Sequence, residues 1–354
     1  MRRDYWLKLV GITVILSISL MLGGCSSSSD SDIKGQPPAE EAEEQALTFN
    51  YATQFAATNF MSEIDIEFFD KIYQDTGGKI KVEPFWGGTL IDSLQWYQEV
   101  VRGAADIAHI QGGTNMERFP LNTAASYFFL WAKDNDQIKK LTMELYNTTP
   151  ELQAEYKDIK PLIWITNGQL WIHTAKRPVR TADDIKGMII RVIDDPSFAL
   201  VKELGGNPVR MTVAEAYSGL QKGVIDGIIS GVDALTSFNF GEVTKYSTAL
   251  PYRGAYLAIK VMNIDSWNKL TPETQKIFES NCEWWENEFY KRRNEIDQDT
   301  FDYMRDNNHE IITLDEAENE KIVSVLNKIA EEMAQDAGAM EIYQKAVQLM
   351  EDSR

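Results

Sequence analysis

Gly103 and Asp106 stand three residues apart in EVVRGAADIAHI, and the pair returns 120 residues later as Gly223 and Asp226 in GLQKGVIDGIIS. In both stretches a helical segment ends at the glycine, two residues pass, and the aspartate opens an apolar strand. Upstream of each, a Gly-Gly pair precedes another strand: Gly77-Gly78 before KIKVEPF, and Gly205-Gly206 before NPVRMT. A glycine just past a helix end supplies the left-handed residue that terminates it. Thr212 followed by Glu215 reads as a capping box at the start of the second helix. The recurring order of helix, Gly-Gly, strand, helix, Gly-x-x-Asp and strand predicts two α/β lobes built on one plan. Backbone geometry accounts for these glycines and aspartates, so they are not counted as site residues.

The chain has 354 residues, enough for two proper cores. Its formal charge of −19 argues against nucleic acid as a partner and against capture by anionic lipid through surface charge.

One apolar strand carries a charge. In DDIKGMIIRVIDDP, Met188 to Ile193 reads as a strand buried on both faces, closed by Asp194, Asp195 and Pro196. Arg191 sits within it, and a guanidinium stays protonated at any ordinary pH. Either it pairs internally with Asp194 or Asp195, or it awaits an external anion. Ahead of this strand, Thr181 and Asp184 predict a short capped helix.

At the N-terminus, Arg2, Arg3 and Lys8 precede an uncharged apolar run from Leu9 to Leu22, short for a permanent membrane span. LGGC follows, ending at Cys25. This resembles a bacterial signal peptide with a lipobox. The resemblance implies a leader over residues 1–24, cleavage before Cys25, and diacylation of its thiol as the membrane anchor. Ser26 in the next position resembles the outer-membrane sorting pattern. Residues 25–46, rich in serine, glutamate and proline, form a tether too polar to fold, and the folded part is expected from Leu47.

Chemistry-bearing constellations are not visible. With Cys25 lipidated, Cys282 has no partner and is expected as a small packing residue in a helix. His109, His173 and His309 lack neighbours at metal-ligand spacing. No phosphate loop, nucleophile elbow or HExxH occurs in the sequence. No metal, no cofactor and no enzymatic activity are expected.

The segments GGKIKVEPFWGGTL, VVRGAADIAHI, KRPVRTADDIKGMIIRV, GGNPVRMTVAEAYSGLQKGVIDG and SWNKLTPETQKIF, in that order, resemble the DctP-type solute-binding subunits of tripartite ATP-independent periplasmic (TRAP) transporters. The resemblance runs from Leu47 to about Arg293. It implies a two-lobed α/β fold of the type II periplasmic-binding-protein kind, with a long lobe-bridging helix and C-terminal helices. Lobe I would take 47–168 plus about 253–296, and lobe II 169–252 plus about 297–354 with the C-terminal helices. The arginine of the KGxxxRV strand, here Arg191, would pair with the ligand carboxylate, a task suited to a planar fork on a rigid strand.

Further site candidates follow from the same resemblance. Gln111 falls where some members place a polar contact, and Ser230 stands where many have an asparagine. Gln169, Leu170 and Trp171 occupy the strand on which dicarboxylate and sialic-acid binders often carry a second arginine. Phe55, Trp86 and Phe238 lie near predicted strand ends, although aromatics of this kind pack in cores more often than in pockets. The expected function is an extracytoplasmic, lipid-anchored receptor that hands a small organic acid to small and large TRAP membrane subunits. The ligand reading is a monocarboxylate, such as a 2-oxo or aromatic acid. A C4-dicarboxylate is the alternative if Arg180, Arg210 or Arg253 reaches the cleft. A sensor-type protein presenting its ligand to a receptor kinase also stays open, as does, more remotely, an enzyme using the same cleft.

Overall fold

The structure, a computed structural model, describes residues 46–353 other than 93, 111–115 and 167. The leader, Cys25, the tether and Gln111 lie outside the described residues. In chain order the strands are β1 (Leu47–Ala52), β2 (Ile80–Phe85), β3 (Ile107–His109), β4 (Ile159–Ile165), β5 (Gln169–Thr174) and β6 (Ile189–Arg191). They continue with β7 (Asn207–Val209), β8 (Gly227–Ser230), β9 (Tyr246–Arg253), β10 (Leu257–Asn263) and β11 (Glu310–Thr313). Two sheets result, ordered β2-β1-β3-β10-β4 and β11-β9-β5-β8-β6-β7. The helices are α1 (Phe60–Asp75), α2 (Trp96–Val101), α3 (Pro120–Ala125), α4 (Asn135–Asn147), α5 (Pro150–Ala154) and α6 (Asp195–Glu203). After them come α7 (Val213–Lys222), α8 (Ala234–Ser237), α9 (Ile264–Asn268), α10 (Pro272–Asp306), α11 (Glu316–Asp336) and α12 (Met340–Asp352).

The repeat has a physical cause that holds in both sheets. Gly103 and Gly223 adopt φ of 79° and 71°, the left-handed conformation that ends α2 and α7. The aspartate three residues on then locks the next strand to its neighbour. Asp106 accepts the Asn50 N–H at 2.9 Å and returns its own N–H to the Asn50 carbonyl at 3.0 Å. Asp226 does the same with Ile189, at 2.8 Å each way. Each carboxylate satisfies a strand-entry donor that the ladder would leave open. Both predicted capping boxes, Thr181 with Asp184 and Thr212 with Glu215, are present.

Two crossovers join the sheets. β4 runs parallel to β1, β2 and β3, because both β4 and β3 are antiparallel to β10. It therefore ends at their carboxyl edge and passes through Thr166 and Gly168 into β5. Since β5 is antiparallel to β8, it starts at the carboxyl edge of the second sheet. The return from β9 to β10 joins the same two edges. The carboxyl edges are thus tied together, the arrangement in which open α/β sheets bind ligands. The crossovers also bond to each other: Gly254 N–H donates to Gly168 O at 2.9 Å, and the Thr166 hydroxyl donates to Gly254 O at 2.5 Å.

α10 spans both lobes. Thr271 caps it, Pro272 occupies its first turn, and its 35 residues give a length of about 52 Å. Phe278, Trp285 and Phe289 pack in the first core with Phe49, Tyr51 and Phe68. Further along, Met304 and Phe301 pack in the second with Trp171, Leu235 and Phe240. Midway, Tyr290 Oη accepts the Thr166 N–H at 3.0 Å, so the helix holds a crossover directly. Cys282 is buried in the same helix, as a packing residue would be.

One expectation is corrected. The strand expected over residues 188–193 is only Ile189–Arg191, and it is not covered on both faces. Ile190 is fully buried, whereas Ile189 and Ile193 are about a third exposed (36% and 38%). Its neighbour β7 has only three residues, Asn207 exposed and the other two partly so, so the end of the sheet is thinly covered. The C-terminal helices α11 and α12 pack on each other. α11 packs on α6 and β9, but α12 packs on α4 among the helices of the first sheet. Its apolar stripe of Ile342, Tyr343, Ala346 and Met350 joins the core containing Phe128, Ile138 and Leu141.

Candidate functional site

Arg191 closes β6 at the carboxyl edge of the second sheet. Its partners in register, Val209 and Ile228, put it on the sheet face that also carries Trp171 and Ser230. The guanidinium is half-buried, and burial lowers its pKa from the usual arginine value, which marks a charge kept partly from water. Its Nε donates to Met211 O at 3.3 Å, and neither Nη atom meets a partner among the described residues. The internal pairing with Asp194 or Asp195 does not occur. Asp194 caps α6 through Ser197 and accepts the Tyr252 hydroxyl at 2.8 and 2.9 Å. Asp195 pairs with Arg210.

The arginines that might supply a second cation are occupied. Arg210 lies over the Phe198 ring besides meeting Asp195, and Arg180 pairs with Glu310 at 2.5 Å. Arg253 donates to Ala132 O at 2.8 Å, to Asn135 Oδ1 at 3.0 Å and to Lys133 O at 2.5 Å.

The other candidates scatter. Trp171 stands opposite Ser230 in the β5–β8 ladder, but the residue is buried (8% exposed) in a core that includes Phe301, with ring centroids 5.8 Å apart. Ser230 is buried and donates to Gly231 O at 3.1 Å. Gln169 turns its amide to Leu250 O at 3.0 Å and lines a hollow of about 250 Å³ with Trp131, Tyr252 and Arg253. Phe238 is exposed beyond α8, against Phe240. In the first lobe, Phe55 lies edge-on to His109 with ring centroids 4.9 Å apart, and Trp86 edge-on to Tyr51 at 5.8 Å. Arg191, Ser230 and Phe55 therefore stand at the ends of strands that face the crossovers, while Trp171 and Gln169 are turned into packing or into another hollow.

Beneath the carboxyl edge of the first sheet lies a buried polar chain that sequence reading missed. Lys260 on β10 is fully buried, and its ammonium reaches Asp65 Oδ1 at 2.9 Å and His109 Nδ1 at 2.8 Å. The Trp285 ring covers it at 4.1 Å. Asp65 also accepts the Tyr51 hydroxyl at 2.5 Å and the Trp285 indole N–H at 2.7 Å. Burial, and secondarily the Lys260 charge, hold the His109 pKa well below the usual histidine range. The available signal was the one that exposed Arg191: a charge inside an apolar strand, here LAIKVMN. Two histidines judged isolated in the sequence are also joined, since the Ser247 hydroxyl bridges His173 Nδ1 at 2.6 Å and His309 Nε2 at 2.8 Å. Among the described residues no group of His, Cys, Asp and Glu is arranged to hold a metal ion.

Two lobes joined at their carboxyl edges, a bridging helix and a half-buried arginine without a partner anion among the described residues are the features of a solute-binding protein. The chain belongs to the DctP family, bacterial extracellular solute-binding protein family 7, whose model matches residues 52–336. It is 30% identical over 220 residues to the uncharacterized protein YiiZ of Salmonella typhimurium, covering 59% of this chain and 64% of that protein. The chain thus spans just under two thirds of that relative's length. It is 27% identical over 271 residues to the 2,3-diketo-L-gulonate-binding periplasmic protein YiaO of Escherichia coli, covering 76% and 81% of the two chains. A marine-metagenome TRAP solute binding protein specific for aromatic acid ligands, solved with 3-hydroxybenzoate, superposes with a TM-score of 0.69 at 21% identity. That likeness covers 87% of this chain and 99% of the other.

Proposed function

We propose that this protein is the receptor of a TRAP transporter, capturing a small organic acid between its lobes and handing the closed form to small and large membrane subunits. The observation that carries the reading is Arg191, half-buried at a strand end with both Nη atoms unpartnered among the described residues. A rigid, planar donor fork suits a carboxylate. The relatives named above as binding diketogulonate and aromatic acids agree with an acidic ligand.

A monocarboxylate, such as a 2-oxo or aromatic acid, is favoured over a C4-dicarboxylate. A second carboxylate enclosed in the cleft needs a second cation, because an unpaired buried charge costs several kcal/mol. Arg180, Arg210 and Arg253 are committed elsewhere. Anchoring through a lipid on Cys25 completes the proposal and rests on the cationic start, the short apolar run and the LGGC motif of the sequence. A thermal-shift screen of mono- and dicarboxylates tests the ligand class. Ligand at about 100 times its dissociation constant adds about 2.7 kcal/mol and raises Tm visibly. Stabilisation by succinate or malate with no response to any monocarboxylate would reverse the preference.

A further inference from the structure

At the carboxyl edge of the first sheet, Gln54, Trp96, His109 and Ile110 help to enclose a recess of about 10 Å³. That is room for one oxygen-sized group. Two of its lining residues, Gln54 and His109, carry N–H donors. Gln54 Nε2 is buried and has no hydrogen-bond partner among the described residues, and buried donors left so are rare enough to need a reason. The second donor is set by Lys260. An ammonium only donates, so His109 Nδ1, at 2.8 Å from Lys260 Nζ, accepts and the ring proton sits on Nε2. His109 Nε2 has no partner among the described residues. Lys260 itself is balanced by Asp65 and covered by Trp285, so the recess has no uncompensated cation of its own beneath it.

We infer that Gln54 Nε2 and His109 Nε2 form a second, charge-free subsite that receives a neutral oxygen, keto or hydroxyl, of the carboxylate held by Arg191. This rests on the carboxylate reading proposed above and adds a chemical requirement to it. The preferred ligand carries an acceptor oxygen as well as one carboxylate. A site built to hydrogen-bond an oxygen discriminates strongly against the analogue that lacks it, because its donors are then left bare.

Calorimetry with three matched pairs tests this: 3-hydroxybenzoate and benzoate, 2-oxobutanoate and butanoate, lactate and propanoate. The wild type is expected to favour the oxygenated member of at least one pair by about tenfold or more, equivalent to about 1.4 kcal/mol. Gln54→Leu should shrink that preference to a few-fold. Arg191→Ala should weaken both members of a pair together. If the acids bind but show no oxygen preference, or if Gln54→Leu keeps it, the subsite is wrong and the carboxylate reading survives. If none of the six acids binds, or if Arg191→Ala binds them as wild type does, both fall. Long-range ¹H–¹⁵N spectra of ¹⁵N-histidine-labelled protein, with His109→Gln for assignment, supply an independent readout. His109 should be neutral and protonated on Nε2 at pH 6 and pH 8. A proton on Nδ1 would overturn the donor assignment.

Discussion

Replacing Arg191 by alanine separates a binding role from a structural one, because the two predict opposite pairs of results. Without ligand, the guanidinium returns little to the fold. It is half-buried, burial disfavours its charged form, and its one hydrogen bond is the 3.3 Å contact to Met211 O. The apo Ala variant should therefore melt within about 2 °C of wild type, as expected for a change of about 0.5 kcal/mol or less. With ligand the sum changes. Opposite charges about 4 Å apart at an effective dielectric of about 20 interact by about 4 kcal/mol. Truncating one partner of a desolvated, hydrogen-bonded charge pair costs about 2–5 kcal/mol. The dissociation constant should thus rise by about 30-fold to several thousand-fold. Arg191→Lys should recover part of the loss, since an ammonium keeps the charge without the fork. Titration calorimetry with the best acid from the screen, beside apo melting curves, measures both quantities. An Ala variant that melts several degrees lower but binds as tightly as wild type would refute the reasoning.

Stability should fall on mild acidification. Burial pushes the His173 pKa down to about 3, against about 6.5 for a free histidine, and His109 is depressed in the same direction. Between these values the unfolded chain binds the extra proton, so stability is lost as pH drops below about 6.5 and continues to fall towards 3. At pH 5 the His173 contribution amounts to about 2 kcal/mol. Burial raises the pKa of Asp194 and Glu286, which opposes this trend, so urea midpoints at pH 7 and pH 5 are best compared with those of His173→Asn. An equal slope in the two proteins would contradict the assignment. Cys25→Ser should abolish metabolic labelling with a fatty acid while leaving the fold and ligand affinity of the remaining chain unchanged. Label retained on the Ser variant would remove the lipid anchor from the proposal.

The sequence by itself determined the plan of two α/β lobes, because that plan is written in local backbone chemistry. Gly103 and Gly223 end helices, Asp106 and Asp226 open strands, and Thr181 and Thr212 start helices through bonds to residues three positions away. The sequence also marked α10, where a long run free of Gly and Pro follows a capped Thr-Pro start, and Arg191, whose charge interrupts an apolar strand. Tertiary structure decided what those side chains meet. Whether Asp194 or Asp195 would neutralise Arg191 depended on Tyr252 and Arg210, residues 58 and 15 positions from them. Trp171 looked free to line a pocket until Phe301, far along α10, covered its ring. His109 looked isolated until Lys260, 151 residues away, fixed its proton. Short-range bonds follow from spacing along the chain. Long-range partners follow from which strands become neighbours, and a single sequence carries no spacing for those.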